Sequence, residues 1–253
     1  EISKKDSFHL GLLAAMPEEL GFILKNLEKI KSKKYGDLEI FSGEWVNLNN
    51  NKILISVAWS GWGKVSAARA TTRLISTIYQ NKELDLVIFT GVAGAVDKKL
   101  KQWDVVISEA VIQHDMDARP IFEKFVIPCI NKSKIFSKPY LLENFYNILN
   151  ETIKFQKGSS FKNIYKGLIG TGDMFISDKE KLNQLNKDIP NLLAVEMEGA
   201  AFAQVAHQEN IDWIIIRTIS DGADDNASED FNSFLTQYQL KSWELIKIFL
   251  NTF

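Results

Sequence analysis

The sequence predicts an α/β fold: three layers, α/β/α, around a mixed, mostly parallel sheet. Three observations point there. Short strand-like apolar runs alternate with amphipathic helical patterns along the chain, as in sheets whose strands are joined by crossover helices. Some of the runs are apolar throughout, as strands buried on both faces are. The 253 residues, 45% of them hydrophobic, hold enough apolar material for one sizeable core.

Taken in order, the first strand is expected over 9–14. Pro17 suits a first helical position, where its missing N–H would have no partner anyway, so a helix is expected over 17–27. Strands follow at 38–42, 44–48 and 53–58, the last two joined by the Asn-rich turn 49–52 as an antiparallel hairpin. A helix over 64–79 leads to strands at 86–90 and 105–110. Next come a helix over 141–155, a strand at 165–170, and a helix over 179–186 opened by a capping box, Ser177-x-x-Glu180. A strand at 192–195, a helix over 199–209, a strand at 214–219 and a long helix over 231–249 complete the series. The stretches 131–138 and 156–162 read as polar loops inside a single domain spanning 8–253. The polar residues 1–7 read as a flexible segment.

Composition narrows the function. Lys and Arg number 30 against 32 Asp and Glu, and this balance lacks the basic excess of a nucleic-acid partner. Cys129 is the only cysteine, and His9, His114 and His207 lie far apart. No disulfide, metal or cofactor is therefore expected. No apolar run reaches the roughly 20 residues of a membrane span. A cytoplasmic protein is expected. The first residue is Glu1 rather than Met, so an export signal removed before it is the alternative. Arginines are few, and Arg217 sits inside an apolar strand, where a buried guanidinium needs a carboxylate or ligand partner.

Six stretches could carry chemistry. AAMPEEL (14–20) puts Glu18 and Glu19 at a helix start, as stabilisers of the helix dipole or, for one of them, as a general base. SGWGKVSA (60–67) follows a strand and opens a helix; its glycines either cradle an anion or make a tight turn. TGVAGAV (90–96) reads as a second small-residue turn that a ligand could approach closely. GDMFIS (172–177) offers Phe175 as a stacking ring or a core residue. VEMEGA (195–200) carries Glu196 and Glu198, which either face solvent or serve, one of them a sugar diol and the other a pair with Arg217. WIIIRTISDGAD (213–224) delivers Asp221 to the carboxyl end of a buried strand, as an Asx-turn residue or as a catalyst. The acidic run 221–230 lacks the spacing and glycine of a calcium loop.

With these six motifs in this order and spacing, the chain resembles the bacterial 5′-methylthioadenosine/S-adenosylhomocysteine nucleosidases of the nucleoside phosphorylase superfamily, from about Phe8 to Phe253. The resemblance implies a nucleoside phosphorylase-like fold, a homodimer and hydrolysis of the adenine–ribose bond of a small nucleoside: methylthioadenosine, S-adenosylhomocysteine or 5′-deoxyadenosine. It implies that Asp221 is the acid that protonates adenine N7, with Ser220 orienting it, and that Glu19 is the base that activates water. Met197 and Glu198 would bind ribose, Glu198 through the hydroxyls. Phe175 would stack on adenine and the backbone of Ile176 would read its edge. Arg217 would lie near the water and ribose, and Phe231 would wall the 5′-thio group. On that assignment Asp221 holds a proton if desolvated, and Glu19, at a helix N-terminus, stays ionised.

Three departures stand out. Val92 replaces a serine common in the family, and Trp59 and Trp62 are bulkier than the usual residues around the SGxGK turn. The region 114–128 broadly resembles one that closes over a partner's pocket. The rivals are a phosphate-dependent phosphorylase, a nucleotide-dependent oxidoreductase using GWGKVS, and a nucleoside-binding or surface-interaction protein on the same fold. Phosphorolysis would need cations around the anion.

Overall fold

The computed structural model describes residues 7–156, 158–223 and 227–253. The segment expected to be flexible falls outside the described residues except for Ser7, as do Asp224 and Asp225 of the acidic run.

The described chain runs β1 (Phe8–Ala14), a 3-10 turn (Pro17–Leu20), α1 (Ile23–Asn26), β2 (Glu28–Tyr35), β3 (Leu38–Val46), β4 (Lys52–Trp59), α2 (Lys64–Ile75) and β5 (Leu86–Ala95). It continues β6 (Val105–Gln113), β7 (Lys134–Phe136), α3 (Pro139–Phe155), β8 (Ile164–Thr171), α4 (Lys179–Asp188), β9 (Leu192–Glu196), α5 (Gly199–Gln208), β10 (Asp212–Asp221) and α6 (Ala227–Leu250).

These strands form one mixed sheet in the order β10-β6-β8-β9-β5-β1-β4-β3-β2, with β7 beside β6. β10 also pairs in parallel with β5. The pairings therefore close a ring through β5, β10, β6, β8 and β9, and β1-β4-β3-β2 extends from it as an open wing. Antiparallel pairing occurs in the wing hairpins, at the short β7, and at the seams β10–β6 and β5–β9.

The three layers follow from period-two alternation along the strands. Leu10 and Leu12 of β1 share a core with Leu149 of α3 and with Phe234, Tyr238 and Phe249 of α6. Leu13, on the opposite face, packs with Val87 and Phe89 of β5, Leu74 of α2 and Phe202 of α5.

Several elements differ from the sequence reading. The helix expected over 17–27 breaks at Gly21, where φ is 56°. A Cβ there would lie 2.6 Å from Ser242 Oγ and 3.1 Å from the Trp243 nitrogen, so close approach of α6 requires glycine. The two strands expected at 38–42 and 44–48 are one strand running through Gly43. β2 was not expected. It is polar and exposed, with Lys29, Lys31, Lys33 and Lys34 along the sheet edge, where lysines discourage pairing with other chains. The three-residue β7 lies inside the expected loop 131–138. Helix α4 is capped by Asp178, whose side chain accepts from the backbone N–H of Glu180 and Lys181, rather than by Ser177. TGVAGAV is the carboxyl half of β5 and not a turn.

Candidate active site

Pairing register gathers the site. Asp221 at the end of β10 lies opposite Gly94 of β5, Gly94 lies opposite Val195 of β9, and Thr171 of β8 lies opposite Glu196. The β10–β5 register slips between Ile219 and Asp221, so that Ser220 is an extra residue. Such bulges re-aim side chains beside functional sites. Glycine is needed at two positions of β5 because carboxylates occupy the space above it. A Cβ on Gly94 would lie 2.8 Å from Asp221 Oδ1, and one on Gly91 would collide with Arg217 and Glu19.

Asp221 is buried. Ser220 Oγ donates to its Oδ2 at 2.6 Å, and the backbone N–H of Ala223 donates to Oδ1 at 2.9 Å. Both oxygens are thereby oriented.

Glu19 is 1% exposed, although it lies in the turn after β1. Its Oε2 accepts from the backbone N–H of Ala15 and Met16, and Oε1 accepts from that of Val92, all at 2.9 Å. Burial pushes its carboxyl above the ordinary range, opposed by Arg217 and by these N–H groups. The turn is a four-residue 3-10 segment, too short for the helix dipole that the sequence reading invoked, so Arg217 and the three N–H groups are what oppose the burial. The side chain of Val92 carries no hydroxyl, but its backbone N–H anchors the base.

Arg217 is fully buried behind these groups. Its Nη2 binds Glu196, stands 3.5 Å from Glu198 Oε2, and its Nη1 lies 3.8 Å from Glu19 Oε1, beyond hydrogen-bond reach. The guanidinium also lies 4.5 Å over the Phe89 ring. Arg217 therefore does not line the cleft; a substrate contact is corrected to a placement behind three carboxylates that it positions. Glu196 is its closest partner. Glu196 also accepts from the Thr171 hydroxyl and from the N–H groups of Glu198 and Gly199, which starts α5.

Glu198 is reached by the SGWGKVSA turn. The N–H of Gly63 donates to its Oε1 at 2.9 Å, and the N–H of Lys64 donates to Asp173 Oδ1 at 2.7 Å. The anion at this helix start is thus supplied by the chain's own carboxylates. Burial, together with Glu196, pushes the Glu198 carboxyl up to about 8, against the pull of Arg217. Asp115 completes the rim: it accepts from the Asp173 N–H at 2.9 Å and pairs with Lys64 Nζ at 2.6 Å. These partners are more than fifty residues apart, and no local pattern reveals them.

A cleft lies over this arrangement. It is lined by Glu19, Met197, Glu198, Ser220 and Asp221, and by the expected aromatics Phe175 and Phe231, with Ile176 beside them. All the sequence-predicted site residues but Arg217 are therefore brought to one cavity. The sequence reading missed Met16, Met174 and Val195, which also line it; as single apolar residues they carry no signal. Among the described residues, no group of three or more His, Cys, Asp or Glu could hold a metal. No helix of the described chain is long and apolar enough to cross a membrane.

Residues 9–251 match the family model described as the phosphorylase superfamily. The 5′-methylthioadenosine/S-adenosylhomocysteine nucleosidase of Haemophilus influenzae (strain PittEE) is 38% identical over 228 residues, covering 89% of this chain and 91% of the relative. The crystal structure of the nucleosidase of the same name from Neisseria meningitidis, in complex with methylthio-immucillin-A, superposes with a TM-score of 0.83 at 30% identity. It covers 97% of this chain and 99% of its own. Futalosine hydrolase of Helicobacter pylori superposes equally well, with a TM-score of 0.83 at 27% identity over 97% of this chain and 98% of its own.

Proposed function

The chain belongs to the phosphorylase superfamily, and we propose that it hydrolyses the N-glycosidic bond of 5′-methylthioadenosine and S-adenosylhomocysteine. The products are adenine and the corresponding thioribose; 5′-deoxyadenosine belongs to the same substrate class. The observation that carries this reading is the placement of two separate buried carboxyl groups, Asp221 and Glu19, in one otherwise largely apolar cleft.

In the proposed reaction the bond between C1′ and the base nitrogen breaks as water attacks C1′. Asp221 gives its proton to adenine N7, so that adenine leaves neutral. Glu19 takes the proton of the attacking water. The sugar passes through an oxocarbenium-like state, whose positive charge nearby ionised carboxylates stabilise. Glu198 accepts from the ribose hydroxyls beside Met197. Phe175 and Ile176 hold the base, and Phe231 walls the 5′-thio group. Arg217 acts through Glu19, Glu196 and Glu198.

Hydrolysis is favoured over phosphorolysis by charge. Among the described residues the cleft is lined by carboxylates and no cation, and Arg217 behind it is engaged by Glu196. A phosphate there would meet repulsion rather than an arginine clamp. Adenine release from methylthioadenosine and S-adenosylhomocysteine, followed by the change in ultraviolet absorbance, tests the proposal. Turnover of both supports it, and turnover of neither rejects it.

The same reading includes a single domain over 8–253, a cytoplasmic setting and a homodimer. The single sheet supports the first. The half-exposed Trp62 and the exposed Val65 and Met174, close to the Lys64–Asp115 pair, support the dimer. Sedimentation at twice 28.8 kDa is expected; sedimentation as a monomer would reject the dimer.

A further inference from the structure

We propose that Asp173 is a positioning residue that joins the base-holding segment to Glu198, so that the sugar hydroxyls are gripped in register with a seated base. The inference rests on the nucleosidase reading above.

Helix α2 begins with no cap of its own. Its N-cap residue is Gly63, which has no side chain to accept a hydrogen bond. The first N–H groups of a helix need acceptors, and distant carboxylates supply them here. The N–H of Gly63 donates to Glu198 Oε1 at 2.9 Å, and the N–H of Lys64, the next residue, donates to Asp173 Oδ1 at 2.7 Å. Two consecutive amides thus hold one carboxylate of the sugar site and one of the segment that carries Phe175 and Ile176. The start of a twelve-residue helix favours negative charge at both. Gly63 has a φ of 93°, and a Cβ there would lie 3.1 Å from Asp173 Oδ1. The turn and the close approach of Asp173 both favour glycine.

The base-holding segment is fixed at its stem without the Asp173 side chain. The N–H of Asp173 donates to Asp115 Oδ2 at 2.9 Å, and Asp115 also pairs with Lys64 Nζ at 2.6 Å. One residue earlier, the N–H of Gly172 donates to the Glu196 carbonyl at 3.2 Å, and a side chain on Gly172 would collide with the His114 ring. From this pinned stem the Asp173 carboxylate reaches out to the start of α2. Glu198, on the other side, is the N-cap residue of α5 but makes no side-chain cap bond there, so the Gly63 N–H and Arg217 orient it. Without the Asp173 carboxylate the Lys64 N–H turns to water, the Gly63 turn gains freedom, and Glu198 loses its fixed donor.

Steady-state adenine release from methylthioadenosine tests this with the wild type, Asp173→Ala, Asp173→Asn, Glu198→Gln and the double variant that combines Asp173→Ala with Glu198→Gln. Thermal melting of each variant checks folding. Asp173→Ala should lower kcat/KM about fivefold, the scale of one lost capping contact. Asp173→Asn, whose amide oxygen still accepts from Lys64, should return it to within about twofold of the wild type. With Glu198→Gln already in place, Asp173→Ala should cost less than about twofold, because the group it positions is impaired, whereas independent sites would multiply. Adenine alone does not engage Glu198, so its inhibition constant should stay within about twofold in Asp173→Ala. An unchanged kcat/KM in Asp173→Ala, a loss of about fivefold on both backgrounds, or an Asp173→Asn variant as impaired as Asp173→Ala would overturn the link while leaving the nucleosidase reading intact. Adenine binding weakened as much as kcat/KM would also overturn it, by assigning Asp173 to the base alone. A wild type that releases no adenine would reject the nucleosidase reading, and this inference with it.

Discussion

Asp221 Oδ1 stands 2.8 Å from the point where a side chain on Gly94 would begin. The two residues face each other across β10 and β5, and the absence of a side chain on one strand makes room for the carboxyl on the other. Asp221 is further tied by Ser220 and Ala223, so it has little freedom to retreat. Gly94→Ala should therefore keep the fold but displace the acid and lower kcat by about a hundredfold, at the low end of an acid–base contribution. Circular dichroism together with adenine-release kinetics checks this; normal turnover would show that Asp221 need not sit where it does.

Asp221→Asn and Glu19→Gln keep shape and remove one proton-transfer role each. Each should lower kcat by about 10² to 10⁴. Because the two carboxyls serve one transition state, the double variant should lose less than the product of the single losses. Near-normal turnover by either single variant would remove that residue from the mechanism.

Glu19 needs to be ionised to act as a base, and burial raises its carboxyl above the usual 4.5. The acid limb of kcat/KM against pH should therefore lie above that value, with activity lost as pH falls through it. An acid limb at or below 4.5 would contradict the assignment.

Glu198 affects stability in the opposite direction along the pH scale. Its folded-state carboxyl is raised to about 8 from 4.5, chiefly by burial. The folded protein thus holds this proton more tightly than the unfolded chain. The contribution is complete below the unfolded value and is lost as pH rises through the folded one. Melting temperatures should fall between about pH 5 and pH 8.5, and Glu198→Gln, which mimics the neutral form, should flatten that fall. An unchanged slope in the variant would place the effect elsewhere.

Arg217→Met leaves Glu19, Glu196 and Glu198 buried without their shared cation. Loss of one partner from a buried ion cluster costs about 3–5 kcal/mol, readable from urea unfolding. Arg217→Lys should recover part of it, because one ammonium cannot serve several carboxylates as a planar guanidinium does. A loss below about 1 kcal/mol in Arg217→Met would mean that the carboxylates hold protons instead.

The central strands, the hairpin β3–β4 and the helices were legible because apolar periodicity reports burial. The edge strand β2 was not, because its residues are exposed and lysine-rich, and its pairing to β3 leaves no apolar pattern. At Thr90–Val96 the glycines imitate a turn. They lie in a strand because Glu19, Arg217 and Asp221 need the space above them, a reason that resides in other segments. The site was legible as six motifs, each ambiguous alone. The sequence placed Arg217 beside the substrate because it cannot reveal that Glu196, Glu198 and Glu19 converge on one guanidinium. The links from Lys64 to Asp115 and Asp173 were invisible for the same reason.

The central claim is that water, activated by Glu19, attacks the sugar. Turnover of methylthioadenosine in ¹⁸O-labelled water, with and without saturating phosphate, tests it most directly. The account predicts labelled oxygen in the free sugar and a rate indifferent to phosphate. Phosphate-dependent turnover that yields an unlabelled sugar 1-phosphate would contradict it.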